Sequence, residues 1–189
     1  MSELRFYKHR RHISRKTGMK YLIIALIGIG VAVLAVALTL AFGKMEIMND
    51  TSMQPTIDHS EHLLVDRVRY LIFSPGRNDI IAFAPNKGER SNVYIRRIIG
   101  MPGDTVLIKD GRLYINGELY EDEFSKEVIK NPGIADDEIK VGEDEYFVLG
   151  DNRNLSEDSR SEIIGNVMRM EIIGKVWFRT APFNKAGFI

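Results

Sequence analysis

The sequence predicts a mainly antiparallel β domain behind a single N-terminal transmembrane helix. Three observations carry this. The run YLIIALIGIGVAVLAVALTLAFG holds 23 consecutive uncharged residues, 21–43. After it come short β-branched and aromatic stretches punctuated by Gly, Pro, Asn and Asp. Two dipeptides, Asp110-Gly111 and Asn116-Gly117, have the chemistry of two-residue hairpin turns.

As a helix, the apolar run covers ~35 Å, enough for a hydrocarbon core of ~30 Å. Seven Lys/Arg and one acid precede it in residues 1–20, whereas Lys44 alone follows closely. That asymmetry predicts a cytoplasmic basic tail (1–20), an uncleaved signal-anchor in the cell membrane (21–43) and an extracytoplasmic domain (44–189). The run is too long for a cleaved secretory h-region. Overall, 26 basic residues balance 26 acidic ones, but the outer segment keeps 19 basic against 25 acidic. An acidic domain of this kind excludes a nucleic-acid partner, which needs a basic patch. The absence of cysteine removes any disulfide scaffold, thiolate metal site or Cys nucleophile.

The strands expected along the outer domain are HLLVDRVRYLIF, NDIIAFAP, VYIRRIIG, DTVLI, GRLYI, GELY, EYFVLG and GKVWFRT. SEDSRSEIIGNV (156–167) reads as the one helix, ended by Gly165, and 131–145 as a solvated acidic loop and hairpin edge. In VYIRRIIG the adjacent Arg96 and Arg97 point to opposite faces, so one should be exposed and the other an inward ion pair.

Three segments carry candidate chemistry. In TSMQPTI, Ser52 lies about nine residues past the apolar run, within ~30 Å of its end, and Pro55 fixes the turn behind it. A hydroxyl beside its own backbone N–H is half of what acyl transfer requires. VYIRRIIGMPGD places two cations before a rigid turn. GDNRNLSEDSR (150–160) is a hydrogen-bonding loop directly after an apolar strand.

In this order, behind an anchor, these segments resemble the type I signal peptidases, membrane-anchored serine proteases that remove signal peptides from exported preproteins. The resemblance rests on SMQPT, VDRVRY with GRNDIIAF, VYIRRIIGMPGD and GDNRNLSEDSR. It implies an antiparallel β domain with an apolar face resting on the bilayer, A-x-A cleavage sites, and no cofactor or metal. It also implies that Ser52 is the nucleophile and that its N–H, with residue 50 beside it, forms the oxyanion region. Asp158 and Arg160 match a bracing ion pair, Ser156 the hydroxyl that orients the family's lysine, Gly150 a closely packed glycine, and Arg97 the arginine after that lysine.

Two positions depart from the family pattern. Arg96 stands where the general-base lysine is expected, and a guanidinium stays protonated in proteins. Asp50 stands where Gly or Ser is usual, and the two departures together suggest an Asp50–Arg96 salt bridge. His59, His62 and Lys87 are expected to lie at the surface, and Trp177 to pack in the core or at the membrane rim. The residues leave three readings open: a signal peptidase, a non-catalytic relative acting in assembly or binding at the cell surface, or an active enzyme carrying one altered residue.

Overall fold

A computed structural model describes residues 15–85 and 92–189. Most of the basic tail and the Lys87 turn lie outside these residues. Helix α1 spans Arg15–Phe42, and its stretch Thr17–Leu38 is long and apolar enough to cross a membrane. Among the described residues the helix already runs from Arg15, ahead of the uncharged run, because Arg, Lys and Met continue a helix as readily as the apolar residues do. It forms one compact unit, and Phe42–Ile189 forms a second.

Among the described residues the second unit holds twelve strands: β1 (Gly43–Ile47), β2 (His62–Asp66), β3 (Ile80–Phe83), β4 (Tyr94–Gly100), β5 (Thr105–Lys109), β6 (Arg112–Ile115), β7 (Glu118–Leu119), β8 (Ile139–Lys140), β9 (Glu145–Leu149), β10 (Val167–Met168), β11 (Ile172–Ala181) and β12 (Gly187–Phe188). They make two antiparallel sheets. The larger runs β1-β2-β11-β3-β4-β9-β10, with β12 added to β11, and the smaller runs β7-β6-β5-β8. Asp110-Gly111 turns β5 into β6 and Asn116-Gly117 turns β6 into β7, all four residues at positive φ as hairpin turns of this kind require.

Apolar side chains cover the large sheet on both faces. Along β3, Ile80 and Ala82 join a core with Met53, Ile57, Leu63 and Val65, while Ile81 and Phe83 join another with Ile98, Val148 and Val167. A third core lies under the small sheet and takes Ile99, Phe147 and Leu149 from β4 and β9. The register of β4 on β9 shifts between Ile98 and Gly100, and this bulge lets two strands serve both sheets.

Four sequence expectations are corrected here. Residues 156–167 form turns rather than a helix: Ser159 exchanges bonds with Val148 through its N–H and Oγ, and Gly165 turns at φ +56°. A backbone tied to β9 in this way cannot close a helical ladder. The stretch after β2 leaves the sheet as a short helix, α2 (Arg69–Ile72), because Asp66 Oδ1 accepts the N–H groups of Val68 and Arg69. The 131–145 tract contains a 3₁₀ turn and β8, and buries Ala135 and Val141. Finally, Arg96 and Arg97 are both buried, at 1% and 4% exposure, because neither face of this sheet is left to water.

Candidate active site

Ser52 sits in the turns between β1 and β2, and the segment around it is pinned from two sides. Met53 and Ile57 are fully buried, and Ile57 N–H donates to Met53 O, closing a tight turn. From the far end of the sequence, Asn152 N–H donates to Ser52 O at 2.9 Å. The loop after β9 thus fixes the serine backbone against the end of the large sheet.

The Ser52 hydroxyl donates to Asp50 Oδ1 at 2.5 Å, and the Ser52 N–H donates to the same oxygen at 2.9 Å. The N–H bond is a local two-residue Asx turn, a common use of aspartate. The other carboxylate oxygen, Asp50 Oδ2, lies 3.1 Å from Arg96 Nη2, which is the salt bridge expected from the two sequence departures. Asp50 therefore spans both donors of Ser52 and the guanidinium.

Arg96 is fixed by more than this pair. Its Nε donates to Glu157 O at 2.8 Å and its Nη1 to Ile95 O at 2.7 Å, and its guanidinium stacks near the Tyr94 ring at 5.4 Å. A buried cation with three acceptors is well satisfied. Burial raises the Asp50 carboxyl, but the Ser52 hydroxyl bond and the Arg96 charge together hold it below the usual carboxylate range. At neutral pH the serine hydroxyl thus faces an ionised carboxylate.

Three further ion pairs stand behind this cluster. Arg97 grips Asp151 with two bonds, Nε to Oδ1 at 2.8 Å and Nη2 to Oδ2 at 2.7 Å. Arg160 grips Asp158 in the same forked manner, and Asp158 Oδ2 also accepts the Gly150 N–H at 3.1 Å. Arg153 pairs with Asp122 and donates from Nε to Gly150 O at 2.9 Å. Gly150 is thereby held at both its N–H and its carbonyl. The arrangement has no room for a side chain at 150: a Cβ there would lie 2.2 Å from Ser156 Oγ and 2.5 Å from Ser52 O. Gly150→Ala is expected to cost about 1–3 kcal/mol in chemical denaturation, since a backbone oxygen cannot swing aside as a flexible side chain can.

Of the residues singled out from sequence, Ser52, Asp50 and Arg96 meet directly, and Gly150 and Ser156 adjoin Ser52 through its carbonyl side. Ser156 Oγ is buried and finds no hydrogen-bond partner among the described residues. His59 is exposed and His62 half-buried, and neither is a hydrogen-bond partner of Ser52. Trp177 packs with Phe178 and Phe188, ring centroids 5.6 Å away in each case. The sequence expectations omit Asp151, Arg153 and Asp122 as bracing residues; the alternation of charge in GDNRNLSEDSR signals the first two, but their partners Arg97 and Asp122 lie far away in sequence.

A serine hydroxyl set against an ionised carboxylate, with its own N–H alongside, is an arrangement that can support acyl transfer. The profile of the signal peptidase, peptidase S26, family matches residues 19–181. Signal peptidase I U of Bacillus subtilis (strain 168) is 34% identical over 179 residues, covering 92% of this chain and 94% of that one. Signal peptidase I of Leptolyngbya laminosa is 35% identical, covering 85% and 79%. A crystal structure of a signal peptidase I from Enterococcus faecalis V583 is 34% identical, with a TM-score of 0.43 over 55% of this chain and 97% of that one. The chain belongs to the signal peptidase, peptidase S26, family.

Proposed function

We propose that this chain is a membrane-anchored serine endopeptidase that removes signal peptides from exported preproteins, with Ser52 as the attacking nucleophile. The observation that carries the assignment is the Ser52 hydroxyl donating at 2.5 Å to an ionised acceptor, with its own N–H alongside. Acyl transfer needs both groups at one carbonyl. Gly150, Ser156, Asp158, Arg160 and Arg97 hold the serine loop rather than react, and the substrate is a small-residue A-x-A segment in extended form.

Helix α1 serves as the bilayer anchor, and the excess of Lys/Arg before it sets the N-terminus inside and the β unit outside. Exposed Leu71, Ile72 and Phe73 fit a domain that works beside lipid, where its substrates emerge.

Family membership and the intact Ser52, Asp158 and Arg160 constellation favour an enzyme over a non-catalytic assembly factor. The test is cleavage of a preprotein bearing an A-x-A site by membranes containing the unaltered chain or Ser52→Ala. Cleavage at that site by the first and none by the second supports the assignment. Equal cleavage by both removes Ser52 from the chemistry.

A further inference from the structure

Resting on the assignment of Ser52 as nucleophile, we infer that Asp50 is the general base of this enzyme, taking the role that the family gives to a lysine. Arg96 is its positioning residue and counterion. An enzyme of this kind must move the Ser52 proton somewhere, and the protonated guanidinium at position 96 has no lone pair to receive it. The one hydrogen-bond acceptor found for Ser52 Oγ among the described residues is Asp50 Oδ1, at 2.5 Å. That distance is within the reach required of a general base.

The charges balance through the step. Ser52 Oγ gives its proton to Asp50 Oδ1 and forms a bond to the scissile carbonyl carbon, whose π electrons move onto the carbonyl oxygen. The carboxylate becomes a neutral acid as the oxyanion appears. The negative charge thus shifts from Asp50 to the oxyanion while Arg96, 3.1 Å from Asp50 Oδ2, stays as the positive partner. The same transfer weakens the hold of Asp50 on the Ser52 N–H, because a neutral acid accepts less strongly than a carboxylate. That N–H is then free to turn to the oxyanion. Collapse breaks the peptide C–N bond, and the leaving amine takes the proton from Asp50. In the second half, water gives its proton to Asp50 and attacks the acyl carbon, and Ser52 Oγ leaves with that proton.

This resolves the conflict in having a carboxylate beside an oxyanion site. Asp50 carries its charge only while the oxyanion does not exist. Ser52 is buried and the Asp50 side chain is half-exposed, so the carboxylate is the more solvent-accessible of the two groups.

The test uses full-length protein in detergent and a peptide spanning an A-x-A site. Asp50→Asn keeps the shape but not the basicity, and kcat should fall by ~10²- to 10⁴-fold with KM within a few-fold. Asp50→Glu should recover part of that loss, and the melting temperature identifies any variant that fails to fold. Asp50→Gly, with the residue usual in the family, gives a second reading and should lose activity to a similar degree. Ser52→Ala separates the two claims. If it still cleaves, the nucleophile assignment fails and this inference with it. If it is inactive while Asp50→Asn and Asp50→Gly cleave as fast as the unaltered chain or faster, Ser52 stands, and Asp50 is a cover on the site rather than its base. An unaltered chain that does not cleave while Asp50→Gly does overturns the inference in the same way.

Discussion

Asp151→Ala should destabilise the β unit by roughly 3–5 kcal/mol, the loss expected when a buried ion pair is broken by removing one partner. Asp151 is fully buried and Arg97 nearly so, and the two share a forked pair of bonds at 2.8 and 2.7 Å. Thr56 Oγ1 also donates to Asp151 at 2.5 Å, so the same carboxylate ties the Ser52 segment to β4. Without it, the Arg97 guanidinium keeps its bond to Asn78 O and its face on the Phe124 ring, but has no counterion. Against a total of about 5–15 kcal/mol, the change is large, and it lowers the melting temperature by about 10 °C for a unit of this size. Adding Arg97→Met should return much of the stability, because an apolar side chain leaves no stranded charge. Urea denaturation of Asp151→Ala, Arg97→Met and the double variant measures this. Additive losses in the double variant would show that the pair is not the unit of stabilisation.

The same arginine pair marks where sequence reasoning stops. The strand itself is legible: a β-branched run ending at Gly100-Met101-Pro102-Gly103 forms β4 as expected, and the Asp-Gly and Asn-Gly turns fall where their chemistry requires. Alternation along a strand correctly sends Arg96 and Arg97 to opposite faces. It does not reveal that both faces are covered, since that depends on Met53 and Ile57 on one side and Val148 and Val167 on the other, all remote in sequence. The helix expected at 156–167 fails for a related reason. Its apolar spacing is genuine, but Ser159 and Asp158 are committed to the backbone of Val148 and Gly150. Tertiary bonds override a weak local preference there.

At the site, the residue types are visible in the sequence and their bonding is only partly so. Asp50 two places before Ser52 has the spacing of an Asx turn, and that signal would have placed its oxygen on the Ser52 N–H. The sequence points to a pair with Arg96. The structure joins Asp50 to Arg96 and to Ser52 as well. Nothing local could reveal that, because Arg96 reaches Asp50 only once β4 and the β1–β2 turn meet in the large sheet.

Restoring the family's lysine should change the pH dependence of catalysis rather than simply raise the rate, and only if Asp50 is removed as well. In the unaltered chain the reactive form of Asp50 is the carboxylate. Its pKa lies below the ordinary 3.8, so that form is complete above about pH 5 and lost only as pH falls through the lowered value. The groups facing it are Ser52 and Arg96, with Tyr94 and Glu157 beyond the guanidinium. With the Asp50 carboxylate already ionised across that range, kcat/KM should be flat between pH 5 and 8. A carboxylate of low pKa is also a weak base, which predicts a slow enzyme. In Arg96→Lys alone, the ammonium lies beside the Asp50 carboxylate, which favours its charged form, so the profile stays flat. In Asp50→Gly with Arg96→Lys that carboxylate is gone, and a site that leaves residue 96 only 1% exposed disfavours the charge. The Ser156 Oγ, buried and without a partner among the described residues, is the group that the family resemblance implies would orient that lysine. Below the lysine's pKa, kcat/KM should rise about tenfold per pH unit, up to ~100-fold between pH 6 and 8 if the amine titrates at the upper end. An alkaline limb in the single Arg96→Lys variant would mean that the amine had displaced Asp50 as base despite the carboxylate. The same limb in the unaltered chain would assign the proton transfer to some group other than Asp50.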